Sequence, residues 1–351
     1  MSRNRKKYID LLFDIIKMRF DLSGSSVLPA DFYEARWING GELEEDWLSY
    51  CDIKSSIEIS HEKRFAIIEF QTSLYFVATG LEDPDNLPTG VNYFPLNSGL
   101  FTAIITELEL PIKTDITNLQ IEQRILSQSK VDPLYAGHDM NDLLSFFPNL
   151  YISELTNQYI GDSNNLSQLI CSYLSINKKF ISLPFSEKSL NEINNLVLLN
   201  SKILNYDSII QSLLSSHFKF SFLDMYRCIE MLYQIVFVDD TYQKLSLTIN
   251  RTDFLLAIDN KLKWRPNERN SLMKIFKETP ELYKVELYKA IKLIDKQISN
   301  QSDWLYDLRC SIVHLKSAQR NFNLKHQDWD NLILGLGQMS SYWYQKYQTF
   351  D

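Results

Sequence analysis

From about Ser163 to the end of the chain, apolar residues recur at i, i+3, i+4 and i+7 with few breaks, and this run of helical periodicity limits the fold more than any other feature. "SNNLSQLICSYLSI" and "SEKSLNEINNLVLLNSKIL" read as helices, the second with Ser189 and Glu192 spaced as a capping box. A long helix is expected from Asp207 to Val238, followed by "TDFLLAIDNKL" with Thr252 as its cap. "PNERNSLMKIFKE" carries Pro266 in its first turn, and "TPELYKVELYKAIKLIDKQIS" has Thr279 as cap with Pro280 at the first helical position. "DWLYDLRCSIVHL" and "DWDNLILGLGQMSSYWYQKYQ" complete a helical bundle.

The N-terminal part follows a different period. Lys7 to Phe20 is an amphipathic helix, but "SIEIS", "RFAIIEF" and "LYFVATG" read as three strands of an antiparallel meander. "LNSGLFTAIITELELPI" fits either period, and "SQSKVDPLYAGHDMN", residues 127–141, reads as a surface loop. The expected architecture is therefore an α+β domain over 1–160 that senses or regulates through a protein or ligand trigger, a helical connector over 161–205 and an all-α bundle over 206–351, mainly α overall. The 351 residues are long for one core, and ten Gly with ten Pro argue against a loop-rich all-β fold.

Charge divides along the same line. Residues 206–351 hold 19 Lys+Arg against 17 Asp+Glu, which leaves 17 against 27 for residues 1–205. The acidic character belongs to the first half (−10), while the second stands at +2, so a polyanionic partner is excluded for the first half only. Cys51, Cys171, Cys228 and Cys310 show no metal or redox spacing. With no secretory leader or apolar run of membrane-spanning length, a reducing cytoplasm is the expected location.

Within "LYDLRCSIVHL", Arg309 and His314 border a stripe of Leu308, Ile312 and Leu315, about 140° apart on an ideal helix. Spacing alone says little. With 12 Arg and 5 His in the chain, about 0.5 such pair arises by chance, and Arg320 with His326 forms a second instance in a polar stretch. Context singles out the first pair.

Here the sequence resembles the HEPN superfamily, helical bundles whose signature is Arg, four to six residues, then His. "LRCSIVHL" stands where family members commonly read "LR-polar-S-I-V-H-G". "FLDMYRCIEMLYQIVF", Phe222 to Phe237, looks like the family's early long helix, and the resemblance covers roughly residues 206–345. It departs from the pattern at Cys310 and Leu315. The resemblance implies metal-independent endoribonuclease activity without a cofactor, in which the ribose 2′-OH attacks the adjacent phosphate. His314 would serve as general acid or base, Arg309 would hold the phosphate, and Glu230 would orient one of them from a neighbouring helix. It also implies a homodimer and a role as a toxic effector in anti-phage defence or a toxin–antitoxin pair.

Lys261, Lys263, Arg265 and Arg269 in "KLKWRPNERN" are candidate contacts to the RNA backbone. Glu230 with Arg227 reads equally as an ion pair within one helix. Two other functions compete. One is a non-catalytic module for dimerisation or for binding RNA or a nucleotide. The other is an Mg²⁺ nuclease built on Glu58, Glu69 and Gln71 of the strands, with His61 and His138 nearby but at no metal-ligand spacing.

Overall fold

The computed structural model describes residues 4–22, 32–156, 165–246, 248–314 and 322–348. The chain forms two compact units, Met1–Leu166 and Ser167–Asp351. The architecture is mainly α, with α+β character confined to the first unit.

In the first unit α1 (Arg5–Leu22) and α2 (Glu42–Tyr50) precede β1 (Asp52–Glu58), β2 (Arg64–Phe70), β3 (Ser73–Thr79) and β4 (Val91–Tyr93). Then come α3 (Ser98–Glu107), α4 (Asn118–Ile121), α5 (Met140–Leu144) and β5 (Leu150–Leu155). The five strands pair antiparallel in the order β1-β2-β3-β5-β4. Ala66, Ile68, Phe70, Tyr75 and Val77, at alternate positions, share a core with Leu12, Phe13 and Ile16 of α1 and with Leu100, Phe101 and Ile104 of α3. Edge strand β1 keeps the charged Asp52, Lys54 and Glu58, which suits an unpaired edge. The stretch of ambiguous period resolves as α3, whose Asn97 cap accepts the Leu100 N–H at 2.9 Å. It lacks a polar face because Gly99 through Ile105 are all buried.

Residues 127–141 form the largely exposed surface loop their composition suggests, with Leu134 90% exposed, but two of its side chains turn inward. Ser129 and His138 are buried, and the loop lies against residues 35–39 through His138 N–H to Trp37 O (2.8 Å) and Asn39 N–H to His138 O (3.0 Å). The buried Arg36 guanidinium anchors the start of the loop. It donates to the carbonyls of Ile125 (3.1 Å), Gln128 (3.0 Å), Phe32 (3.1 Å) and Glu34 (2.9 Å). A buried cation needs such acceptors; residues 32–34 and 125–128 supply them, Gln128 from the loop itself.

The second unit runs through α6 (Asn165–Ser175), α7 (Glu187–Leu198), α8 (Tyr206–Leu214), α9 (Phe218–Glu230) and α10 (Leu232–Lys244). It continues with α11 (Arg251–Ala257), α12 (Glu268–Glu278), α13 (Val285–Ile294), α14 (Gln301–Val313) and α15 (His326–Lys346). The long α15 packs along α7, α9 and α13. The segment expected as a connector thus contributes two helices, α6 and α7, to this unit. Among the described residues, no helix is long and apolar enough to cross a membrane.

Several local expectations need correction. The single helix expected over Asp207–Val238 is three, broken first where Ser215 and His217 take extended backbone and Ser215 Oγ–H bonds the His217 carbonyl at 3.0 Å. Ser186, not Ser189, caps α7, and Glu192 instead accepts from Ser341 Oγ at 2.6 Å. Asn250 accepts the Asp253 N–H at 3.2 Å, the position assigned to a Thr252 cap; the Thr252 side chain lies outside the described residues. Thr279 closes α12 rather than opening the next helix: its hydroxyl bonds the Ile275 carbonyl at 2.7 Å and accepts Trp343 Nε1–H at 2.8 Å. Pro280 leads only a short 3₁₀ turn, Glu281–Tyr283.

Candidate active site

Three helices meet around Arg309. Helix α14 starts at the Asn300 cap, which accepts from Ser302 and Asp303 N–H, and turns Trp304, Leu305 and Leu308 into the core. Arg309 follows directly on Leu308 and is left at the rim, its side chain 15% exposed. Ile312 is only half-buried and Leu315 lies outside the described residues, so the inward face of α14 is set further toward its start than the stripe expected from sequence. Helix α9 buries Phe222, Met225, Tyr226 and Ile229 and ends on Glu230. Helix α12 opens at its Asn267 cap and places Glu268 in its first turn.

Glu230 and Glu268 converge on the guanidinium. Arg309 Nε and Nη2 both lie against Glu230 Oε1, at 2.8 and 2.7 Å, and Nη1 lies 3.5 Å from Glu268 Oε2. The cross-helix pairing of Glu230 with the motif arginine is present, whereas the alternative pairing with Arg227 is not. Arg227 turns to Asp224 at 2.5 Å. Burial opposes charge on Arg309, but the attraction of Glu230 and Glu268 outweighs it and holds its pKa above the ordinary value. Burial pushes the Glu230 carboxyl up. Arg309 pulls it down, and the second carboxylate, Glu268, adds to the rise.

Hydroxyls and a thiol complete the surroundings. Tyr226 and Tyr233 share a buried hydroxyl–hydroxyl bond of 2.8 Å. Tyr306, one turn before Cys310, has its pKa pushed up to about 12, first by burial and then by a hydrogen bond with the Cys310 thiol. Beside the trio opens a cavity of about 420 Å³ whose lining includes Glu230, Tyr233, Gln234, Arg265 and Glu268.

His314 stands apart from the carboxylates. Helix α14 ends at Val313, and His314 takes an extended conformation (φ −116°, ψ 112°), with its N–H on the Cys310 carbonyl at 2.9 Å. It is exposed, and among the described residues its ring has no hydrogen-bonding partner. The 140° separation expected on a continuous helix does not apply to it. In the second Arg–His instance, Arg320 lies outside the described residues and His326 begins α15.

The basic cluster is largely engaged. Lys263 is exposed in a left-handed conformation (φ 48°) at the end of a π-helical turn, Ile258–Leu262; the Lys261 side chain lies outside the described residues. Arg265 pairs with Asp259, and Arg269 bridges Asp303 (2.7 Å) and Asp307 (2.5 Å) while its guanidinium lies 4.7 Å from the Tyr306 ring centre. Sequence reasoning missed Glu268, Asp303 and Asp307 as partners. The Pro266-Asn267-Glu268 start of α12 was a signal for the first, because it marks the helix end that carries the carboxylate.

The strand carboxylates are far apart. Glu58 pairs with Arg64 (3.3 Å) at one end of the β1–β2 ladder, and Glu69 pairs with Lys54 (2.5 Å) at the other. Gln71 lies past the end of β2 at φ 56°. His61 is exposed in the connecting turn, and His138 is buried among Phe13 and Tyr135. The described residues contain no group of three His, Cys, Asp or Glu that could hold a metal ion.

No family description, curated protein or solved structure matches this chain.

Proposed function

We propose that the second unit is a metal-independent endoribonuclease of the HEPN type. The observation that carries this reading is Arg309, held by carboxylates from two other helices beside an open cavity, with an exposed imidazole at the end of the same helix. Glu230 fixes one edge of the guanidinium and leaves the Nη1 edge for a phosphate oxygen. Glu268, at the longer 3.5 Å and with its side chain 47% exposed, is the contact that a phosphate displaces. Arg309 then offsets the charge that develops as the 2′-oxygen bonds phosphorus and the P–O5′ bond breaks, and His314 moves the 2′-OH proton to the departing 5′-oxygen, which leaves as a 5′-hydroxyl. One Arg and one His per chain is sparse equipment, so two copies facing each other across one cleft fit the chemistry. A homodimer is measured directly as solution mass by light scattering. A toxic, regulated effector of defence or a toxin–antitoxin system fits such an activity, the acidic first half limiting indiscriminate RNA binding.

The test is cleavage of bulk tRNA and mRNA in EDTA by wild type, Arg309→Ala and His314→Ala. Cleavage leaving 2′,3′-cyclic phosphate ends in wild type alone supports the reading. A folded His314→Ala variant that cuts as well as wild type removes His314 from the mechanism.

A second reading, a binding or dimerisation module without catalysis, is favoured by one specific observation. Arg265, Arg269 and Arg309 are each already paired with carboxylates, which reduces their attraction for a phosphate. Toxicity on overexpression that persists in His314→Ala supports this second reading.

A further inference from the structure

The cavity beside Arg309 has a polarity that selects among nucleobases. Among the described residues, Glu268 makes no hydrogen bond and one ion pair, the 3.5 Å contact to Arg309. Gln234 lines the same cavity and donates its Nε2–H to the Trp264 carbonyl (3.2 Å) and to Asp259 (3.4 Å), which leaves Oε1 as an acceptor. Tyr233 is committed to Tyr226, while Arg265 holds Asp259 and the Trp264 carbonyl through Nη1, which leaves its remaining N–H groups as donors at one side of the cavity. Glu268 and Gln234 thus present acceptors to a ligand, opposite in kind to the Arg265 donors on the same lining. Met231, 47% exposed, and Pro266 supply apolar surface on the same lining. At about 420 Å³ the space falls within the roughly 300–1,000 Å³ range of small-ligand sites.

We propose, building on the nuclease reading of this site, that the cavity receives a guanine base and that Glu268 is the residue that selects it. When a phosphate takes the Nη1 edge of Arg309, the Glu268 carboxylate is released from its ion pair and still borders the cavity. Guanine presents two parallel donors, N1–H and N2–H, to a carboxylate, the two-bond geometry that charge-assisted pairs favour. Adenine offers one donor beside an unprotonated ring nitrogen, which repels the second oxygen. Cytosine likewise offers one donor beside an acceptor, and uracil one donor between two carbonyls. Only guanosine satisfies both Glu268 oxygens while its 3′-phosphate meets Arg309. Glu268 thereby links phosphate binding to base identity and is a specificity-determining residue.

Titrating the full chain with the four nucleoside 3′-monophosphates, followed by calorimetry, tests this without any need for turnover. Guanosine 3′-monophosphate is expected to bind at least about tenfold more tightly than the other three, the discrimination of a good bidentate pair. Inosine 3′-monophosphate, lacking the 2-amino group, should lose most of that advantage. Glu268→Gln should bring the four natural ligands to within about threefold of one another. Equal binding of all four by wild type, no binding of any, or an undiminished guanosine preference in a folded Glu268→Gln variant overturns the proposal. Selective binding by a chain that cuts no RNA would sustain the guanine site and count against the nuclease reading. RNA cleavage with no preference at the scissile guanosine would do the reverse.

Discussion

Glu230 Oε1 accepts from both Nε and Nη2 of Arg309, so one carboxylate oxygen sets the plane of a guanidinium 79 residues away in sequence. Neither side chain is fully exposed (24% and 15%), and removing Glu230 leaves the cation with the longer Glu268 contact and the Cys310 thiol. Glu230→Ala is expected to cost about 1–3 kcal/mol of stability in urea unfolding, below the loss from a fully buried pair. Glu230→Gln retains one acceptor and should cost less. If Glu230→Ala unfolds like wild type, the pair does not order these helices.

His314→Ala should behave in the opposite way. The side chain is exposed beyond the last turn of α14, so its removal should change stability by no more than about 0.5 kcal/mol. Cleavage should fall by about 10²- to 10⁴-fold, the usual contribution of a general acid or base. Parallel thermal melts and RNA cleavage rates separate the two effects.

His138 gives the first unit an acid-sensitive element. Burial, with the nearby Arg36 charge adding to it, lowers its pKa from the ordinary 6.5 to about 4. Between those values the unfolded chain binds a proton that the folded chain refuses. Stability therefore rises with pH across this window and is lost as pH falls from about 6.5 to about 4, by up to about 3 kcal/mol. His138→Phe keeps an aromatic ring against Phe13 and Tyr135 and cannot titrate. Its urea midpoint should vary less over that range, and an equal slope for both proteins would assign the acid sensitivity elsewhere.

Gly99 is fixed by the close approach of α2 and α3. A Cβ there would lie 1.7 Å from the Glu44 carbonyl oxygen, a rigid backbone atom. Gly99→Ala is expected to destabilise the first unit by about 1–3 kcal/mol or more, read as a lowered unfolding midpoint in circular dichroism.

Glu69 serves its ion pair with Lys54 on an edge strand, with Glu58 at the far end of the ladder. Glu69→Ala and EDTA should each leave RNA cleavage within about twofold of the untreated wild type. Loss of activity in both would restore the metal-dependent reading.

The strands of the first unit were legible because alternation of side chains is local; β1, β2 and β3 fall where period two appears. The ladder positions of Glu58 and Glu69 were not, since register depends on pairing. Apolar periodicity ran through Ser215 and Met231 and so predicted one helix where three stand; at the first break the Ser215 hydroxyl bonds the His217 carbonyl. In the candidate site, Arg309 and Glu230 were legible as residue types. Their 2.7–2.8 Å contact, the closure of Arg269 by Asp303 and Asp307, and the entry of Glu268 arise only when α9, α12 and α14 meet.

Because α14 stops at Val313, the imidazole of His314 is carried by extended chain while Arg309 rides on the helix. Had the helix continued, one residue inserted between them would have swung the ring by about 100°. As the chain stands, an insertion after Val313 lengthens a tether instead of rotating a lever. The number of residues separating the two motif side chains is thus a loose constraint on their meeting, whereas the position of Arg309 on its helix is a strict one.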